Sequence, residues 1–142
     1  MTAVRTAAAH WEGSLLEGKG QVTLESSGLG TYDVTWPART DTAADGRTSP
    51  EELIAAAHST CFSMAFSHAL AQAGTPPNTV DTRADVTFQP GKGITGIKLS
   101  VRASIDGISA EDFQKAAQDA KANCPVSQAL KGTEITLEAE LV

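Results

Sequence analysis

The sequence of 142 residues is short of cations, with 11 Lys and Arg against 17 Asp and Glu, which gives a net charge of −6. This composition leaves no basic surface to neutralise phosphates, so neither nucleic acid nor an anionic membrane is expected as a partner. Glu12 and Gly13 interrupt the N-terminal apolar stretch before it reaches the length of a signal peptide. No run of about 18 residues is free of polar side chains, so no membrane-spanning helix is expected. We expect one soluble, cytoplasmic domain over residues 1–142.

Cysteine is also scarce, since Cys61 and Cys124 are the only two thiols. Structural disulfides rarely persist in the cytoplasm, so a pair of cysteines there is more often catalytic or metal-binding. Cys61 lies in the apolar run 49–65, whereas Cys124 directly precedes Pro125. This arrangement suggests one thiol that attacks and a second thiol that resolves, which is redox chemistry.

The pattern of apolar residues predicts an α+β fold. A hairpin is expected from 8–11 and 21–26, followed by a strand from Thr31 to Trp36, a stop at Pro37 and a loop over 38–48. Alternating apolar and polar residues predict an antiparallel hairpin of two strands, 80–88 and 97–105. Capping signals then predict a helix that begins at residue 110 and ends before Pro125, and a short helix over 125–131. A last strand is expected over 134–142. The expected order is β-β-β-α-β-β-α-α-β.

The clearest helix in the sequence begins after Ser49. Ser49 at the N-cap, Pro50 at the first helical position and Glu52 three residues after the cap form a capping box. Gly74 ends the helix, so it is expected over residues 50–73. Beyond its N-terminal acids this helix carries no full charge, and it should therefore be enclosed by a sheet, a second subunit or both.

Cys61 needs a positive partner, because burial in an apolar helix raises the pKa of a thiol and the thiolate is the attacking form. On the same helix, only His58 and His68 could serve locally. A guanidinium from the preceding loop is the stronger candidate, since it stays charged and donates in a fixed fork. Arg39 and Arg47 are the two arginines of that loop.

Glu51 could hold such an arginine in place through a bidentate ion pair. Glu51 and Cys61 are ten residues apart, about 15 Å along a straight helix, which is too far for one arginine to bridge within one helix. We therefore infer that the arginine and the glutamate come from a partner chain, whose long helix runs antiparallel across this one.

Cys124 falls at a helix N-cap because Pro125 takes the first helical position, and free N–H groups and the helix dipole favour an anion there. The Cys124 thiolate would also be a good leaving group. If the Cα of Cys124 lies within about 7 Å of the Cα of Cys61, a disulfide can close after Cys61 is oxidised to a sulfenic acid.

Several segments together resemble the OsmC/Ohr family of organic-hydroperoxide reductases, most closely its OsmC branch. They are Ser49–Leu53, Ala56–Ala65, Cys124–Leu130 and His10–Gly13, and the likeness extends over essentially the whole chain. The resemblance implies antiparallel sheets wrapped around long central helices in an intertwined homodimer, with active sites at the subunit interface.

The same resemblance implies which residues form the site. Cys61 matches the peroxidatic cysteine, Cys124 the resolving cysteine and Glu51 the family's glutamate. Arg39 fits the family's arginine best, while Arg47 stays open because the loop is longer than usual. No haem, flavin or metal is implied, and the family is reduced by dithiols, lipoyl groups among them. The expected reaction converts organic hydroperoxides, and less well hydrogen peroxide, to an alcohol or water.

Other functions also remain open. A non-catalytic dimeric module could carry a lipid or small ligand in an apolar groove, with cysteines that only pack. A Cys/His hydrolase is a third class, although no acid lies near a histidine in an obvious motif. His58 and His68 could complete a zinc site with Cys61.

The large apolar side chains near Cys61 are expected in the core. These are Phe62, Met64 and Phe66. Trp11 and Trp36 could be core residues or could line an apolar substrate pocket, and the sequence does not decide between the two.

Overall fold

The computed structural model describes residues 1–142, and the backbone forms two compact units, residues 1–53 and residues 54–142. The strands are β1 Ala7–Glu12, β2 Lys19–Leu24, β3 Thr31–Val34, β4 Pro77–Gln89, β5 Gly93–Ile105 and β6 Ile135–Leu141. The helices are α1 Trp36–Thr40, α2 Pro50–Gln72, α3 Ala110–Asn123 and α4 Pro125–Ala129. The predicted α+β class is confirmed, with one more helix, α1, than expected.

Residues 1–53 contain an antiparallel sheet in the order β1-β2-β3. β1 pairs with β2 over its whole length, which confirms the predicted hairpin. Gly20 is required where β2 passes Trp11, because a Cβ at this position would lie 2.7 Å from the indole Cε3. All six residues of β1 are exposed, so both faces of this strand are accessible in the single chain.

The segment after β3 differs from the prediction. β3 ends at Val34 rather than Trp36, and helix α1 replaces the first part of the expected loop. Thr35 caps α1, since its Oγ1 accepts a hydrogen bond from the Ala38 N–H at 3.2 Å. Pro37, taken as a strand stop, lies in the first helical turn, where its missing N–H loses no intrahelical hydrogen bond. Arg39 lies in the last turn of this helix.

Helix α2 begins where the sequence predicts. The Ser49 Oγ accepts a hydrogen bond from the Glu52 N–H at 3.2 Å, which confirms the N-cap. The Glu52 carboxylate accepts from the Thr48 hydroxyl at 2.6 Å rather than from the backbone of Ser49, so only half of the capping box forms. The helix ends at Gln72, and Gly74 follows with a φ of 88°, a left-handed conformation that favours glycine.

Helix α2 is long and apolar, and by length and composition alone it could span a membrane, with a mean hydropathy of 1.2 over an 18-residue window. The core helices of soluble proteins share this property. Phe62, Phe66 and Leu70 of α2 are packed in a protein core. Its composition therefore adds no support for a membrane partner.

Residues 54–142 contain a second sheet in the order β4-β5-β6. β4 and β5 pair antiparallel, as the alternation of apolar residues predicts. β6 pairs with β5 in parallel, so the expectation of antiparallel sheets holds for β4–β5 and not for β5–β6. A parallel pair needs a long crossover connection, which α3 and α4 provide.

The core of residues 54–142 is formed by β5, α2 and α3. Alternate residues of β5 are buried in it, namely Ile97, Leu99, Val101, Ala103 and Ile105. Phe66 lies between two other rings, with its centroid 5.6 Å from that of Phe62 and 5.8 Å from that of Phe113. Each buried phenylalanine contributes about 1.5–3 kcal/mol. The predicted core positions of Phe62 and Phe66 are confirmed, and they anchor α2 to α3.

One face of α2 is not covered by the chain. The prediction that Met64 lies in the core is wrong for the single chain, because the residue is 68% exposed. Ala57, Thr60 and His68 are also exposed and share a face with Met64 at three- or four-residue spacing. The burial predicted all round this helix is therefore only partly provided within one chain.

Candidate active site

Cys61 and Cys124 lie side by side, although they are far apart in the sequence. Cys61 is half-buried on α2, and Cys124 is fully buried at the junction of α3 and α4. Both thiols are free, and they lie within hydrogen-bonding reach of each other. The fold therefore brings together two sulfur atoms that could form a disulfide.

The backbone around Cys124 also reaches Cys61. Cys124 ends α3 and is the N-cap of α4, with Pro125 in the first turn, as the sequence predicts. Val126 follows in the first turn of α4, where backbone N–H groups have no carbonyl partner within the helix. Hydrogen bonding from its backbone lowers the pKa of the Cys61 thiol. The N-terminus of α4 thus offers Cys61 a donor that favours the thiolate.

The environment of Cys61 in residues 54–142 disfavours the thiolate overall. Burial raises the pKa of the Cys61 thiol above its ordinary value of 9.0, and the hydrogen bond and charge of the Cys124 side chain raise this pKa further. The Val126 N–H acts in the opposite direction. No cationic side chain of residues 54–142 acts on this pKa. A thiolate at neutral pH therefore requires a cation from elsewhere.

A buried hydrogen bond lies beside the cysteine pair. His58 Nε2 and Ser127 Oγ are 2.7 Å apart, and both residues are buried. Burial lowers the pKa of His58, so the imidazole is neutral at neutral pH and cannot be the local cation for Cys61. The sequence contained one signal for this pairing: His58 precedes Cys61 by three residues, and Ser127 follows Cys124 by three.

The zinc alternative has no support in the geometry. His58 is bonded to Ser127, and His68 is exposed on α2. No group of three or more His, Cys, Asp or Glu side chains in the structure could hold a metal ion. Three or four convergent ligands are the minimum for a protein zinc site.

Within residues 1–53, Arg39 and Glu51 form the bidentate ion pair considered from the sequence. The Arg39 Nε donates to both carboxylate oxygens at 3.1 Å, and Nη2 donates to Oε1 at 2.8 Å. Glu51 is 7% exposed, and the guanidinium carbon lies 5.7 Å from the centroid of the Trp36 ring. Charge-assisted hydrogen bonds and the cation–π contact hold the guanidinium in one orientation.

Arg47, the second candidate arginine, has other neighbours. Its Nη1 lies 3.1 Å from Asp45 Oδ2, and the Asp45 side chain is 88% exposed, so this ion pair contributes little to stability. Arg47 also lines a pocket of about 410 Å³ with polar residues that include His10 and Glu12. The structure thus pairs Arg39, and not Arg47, with Glu51.

An apolar pocket of about 310 Å³ opens beside Arg39. Its apolar lining residues are Ala9, Trp11, Leu15, Val22, Val34, Trp36, Pro50 and Leu53. The Trp11 indole N–H donates to the Gly13 carbonyl at 3.1 Å, which fixes the ring at the pocket wall. Both tryptophans therefore line an apolar pocket. Of the two locations that the sequence left open, the core and a pocket, the structure shows the pocket.

Comparison of the sequence with known proteins identifies a family and several relatives of this chain. A family model described as "OsmC-like protein" matches residues 43–140. "Peroxiredoxin OsmC" of Escherichia coli is 44% identical over 144 aligned residues, which cover 99% of each chain. "Organic hydroperoxide resistance protein-like 1" of Staphylococcus epidermidis is 32% identical over 128 residues, covering 87% of this chain and 89% of the relative.

A solved structure from Legionella pneumophila shares the backbone. That protein is described as an "organic hydroperoxide resistance protein OsmC, predicted redox protein, regulator of sulfide bond formation". It superposes with a TM-score of 0.70 at 26% identity, over 98% of this chain and 99% of that one. Similarity in sequence and in backbone therefore extends over nearly the whole chain.

Proposed function

This chain belongs to the OsmC/Ohr family, and on that premise we propose that it is a peroxidase that reduces organic hydroperoxides through a peroxidatic Cys61 and a resolving Cys124. The observation that carries the proposal is the contact between the two free thiols. The names of the relatives add support, since one is a peroxiredoxin and another is named for resistance to organic hydroperoxides.

In the first step, the Cys61 thiolate attacks the terminal oxygen of the hydroperoxide. The S–O bond forms as the O–O bond breaks, and the leaving alkoxide takes up a proton to become an alcohol. Cys61 is thereby oxidised to a sulfenic acid, and the peroxide is reduced. With hydrogen peroxide, the same displacement releases water.

In the second step, the Cys124 sulfur attacks the Cys61 sulfur. The S–S bond forms, the S–O bond breaks, and the departing hydroxide leaves as water with the proton of the Cys124 thiol. An external dithiol, such as a reduced lipoyl group, then reduces the disulfide and is itself oxidised to a disulfide. Neither step requires a metal or an organic cofactor. A cytoplasmic location, where dithiols are kept reduced, suits this cycle.

Arg39 supplies the positive charge that the Cys61 thiolate needs, and Glu51 orients that charge. The ion pair supports this assignment, because it fixes the orientation of the guanidinium. The raised pKa of Cys61 supports the need for a cation. Glu51 and Cys61 are about 15 Å apart along α2, so the pair acts on the Cys61 of a partner subunit.

The same reasoning makes the protein a homodimer. The face of α2 that carries Met64 is open in the single chain, and β1 is exposed on both faces. A second copy would cover this apolar surface, with the two long helices packed together and wrapped by the sheets. Each site then takes Cys61 and Cys124 from one subunit and the ion pair of Arg39 and Glu51 from the other.

The apolar pocket beside Arg39 favours organic hydroperoxides as substrates. Each buried CH₂ group of the substrate contributes about 0.8 kcal/mol, and hydrogen peroxide has none to bury. We expect kcat/KM for cumene hydroperoxide to exceed that for hydrogen peroxide by at least about tenfold, measured with a dithiol as the reductant. Comparable values for the two peroxides would contradict this preference.

A non-catalytic module that binds a lipid or small ligand is the second candidate, and the apolar pocket is the observation that favours it. Counting free thiols before and after a stoichiometric addition of cumene hydroperoxide separates the two functions. The peroxidase loses both thiols and gains an intramolecular disulfide. A binding module whose cysteines only pack keeps both thiols.

A further inference from the structure

Two contacts join α2 to the segment around α4, one helical turn apart. Cys61 meets the Cys124 side chain and the Val126 N–H. His58, one turn before Cys61, meets Ser127, one turn after Cys124. Helix α2 and the segment around α4 are therefore in contact at two successive turns of α2, and one of these contacts joins the two sulfur atoms that react.

Helix α4 is held to α3 by the Gln128 side chain, which donates to the Ala122 carbonyl, and to α2 by the bond between His58 and Ser127. It is five residues long, too short to be stable as an isolated helix. Ser127 is its only buried residue, and its hydroxyl is bonded to His58 at 2.7 Å. This bond ties the buried side of α4 to α2, and it therefore helps to hold Cys124 at the N-cap of the same helix.

His58 is an unfavourable choice for packing alone. Its Nδ1 is buried and makes no hydrogen bond. A buried unpaired donor is rarer than a buried unpaired acceptor, so we assign the tautomer in which Nε2–H donates to Ser127 and Nδ1 carries no proton. Apolar groups of the same shape at both positions would be nearly neutral for stability. The bond between His58 and Ser127 therefore points to a role besides stability.

We propose that His58 is a positioning residue for the resolving step, holding α4 through Ser127 so that the Cys124 sulfur stays within reach of the oxidised Cys61. This inference rests on the proposed function. Disulfides form only within a narrow geometry, with the two Cβ atoms about 3.5–4.5 Å apart. A helix α4 that is free to rotate satisfies this geometry for a smaller fraction of the time.

The positioning also protects Cys61 from a competing reaction. A second hydroperoxide can transfer an oxygen atom to the sulfenic acid, which yields a sulfinic acid and an alcohol. Fast attack by Cys124 removes the sulfenic acid before a second hydroperoxide arrives. Loss of the bond between His58 and Ser127 should therefore slow disulfide closure and increase sulfinic acid on Cys61.

The first test is the equilibrium between the disulfide and dithiothreitol, which needs no peroxide. His58→Phe keeps a ring and removes the donor, and Ser127→Ala removes a single atom, the acceptor. In each variant we expect the equilibrium constant for closing the disulfide to fall about tenfold, a shift of about 30 mV in reduction potential. His58→Gln, which offers an amide N–H at about the same reach from Cα as the Nε2 of His58, recovers most of this loss. In the double variant the equilibrium constant for closing the disulfide falls no further than in either single variant, because both substitutions remove the same bond.

Ser63→Ala is the matched control on α2. The Ser63 hydroxyl donates to Thr82 Oγ1 at 2.7 Å, a half-buried bond that does not involve α4. This variant keeps the wild-type equilibrium with dithiothreitol. An equal fall of this equilibrium constant in Ser63→Ala, or an unchanged equilibrium constant in Ser127→Ala, overturns the proposal.

The second test follows a pulse of cumene hydroperoxide by mass spectrometry. In Ser127→Ala, sulfenic acid forms on Cys61 at the wild-type rate, the disulfide closes about tenfold more slowly, and sulfinic acid accumulates. A slower first step overturns the proposal, because His58 would then act on Cys61 itself. Wild-type protein that fails to consume peroxide overturns the proposed function, whereas the dithiothreitol equilibrium still decides the positioning role.

Discussion

Within one chain, the Arg39 guanidinium donates three hydrogen bonds to the Glu51 carboxylate, the shortest at 2.8 Å. Glu51 is buried, so loss of Arg39 would leave a buried carboxylate without its partner. Lysine has no planar fork and cannot reproduce the bidentate geometry. The pair is therefore a preformed unit that can present a positive charge in a fixed direction.

Replacing Arg39 by alanine should lower kcat/KM for cumene hydroperoxide about 100-fold, because the Cys61 thiolate loses its stabilising cation. Arg39→Lys should recover little of this activity. Arg47→Ala is the control and should keep wild-type turnover, since Arg47 pairs with the exposed Asp45. The opposite pattern, with activity lost only in Arg47→Ala, would assign the role to the other arginine.

Met64→Arg should convert a dimer to a monomer in sedimentation velocity and abolish most peroxide turnover. An arginine at this position would bury an unpaired charge in the proposed interface, and each site would lose the partner subunit's Arg39. Gln118→Arg, on an exposed position of α3, is the control and should remain a dimer. A wild-type protein that is both monomeric and active would refute this arrangement of subunits.

Cys124→Ala should lower the pKa of Cys61. The Cys124 side chain raises this pKa through its hydrogen bond and charge, and alanine removes both effects. Cys61 is then the only thiol, so the rate of its alkylation by iodoacetamide against pH reports its titration. The same measurement on wild-type protein, with the alkylated residue identified by mass spectrometry, is the reference. A midpoint that does not move, or that moves to higher pH, would mean that the two thiols do not interact.

His58 should make the protein less stable in mild acid. Its pKa in the folded state is lowered from 6.5 by burial, so below this pH the unfolded chain binds a proton that the folded chain does not. The stability linked to His58 is fully present above the pKa that this imidazole has in the unfolded chain, and it declines as the pH falls below that pKa. Urea unfolding at about pH 7.5 and about pH 5.5 should show a larger loss of free energy in wild type than in His58→Phe. Ser127→Ala keeps the buried imidazole and should retain the pH dependence, whereas equal losses in wild type and His58→Phe would contradict the expectation.

Elements with strong local signals were predictable from the sequence. Ser49, Pro50 and Gly74 each restrict the backbone in a known way, and together they define both ends of α2. The alternation of apolar residues predicts β4 and β5 for the same reason, since side chains of a strand point to opposite faces. Pro37 was ambiguous because proline both stops strands and begins helices, and the short helix α1 was missed.

Features that depend on contacts between distant segments could not be predicted. The parallel pairing of β5 with β6 leaves no local pattern. The hydrogen bond between His58 and Ser127 joins residues that only the folded chain brings together. Met64 has the chemistry of a core residue and is exposed, because its burial depends on what covers the face of α2. The two cysteines could be singled out as a functional pair, but their contact follows from the fold.

The contact between Cys61 and Cys124 is tested most directly by mapping disulfides after the reduced protein has received a stoichiometric amount of cumene hydroperoxide. The expected result is loss of both free thiols and a peptide pair that joins Cys61 to Cys124 within a single chain. Retention of both thiols, or disulfides that join only different chains, would contradict the proposed mechanism.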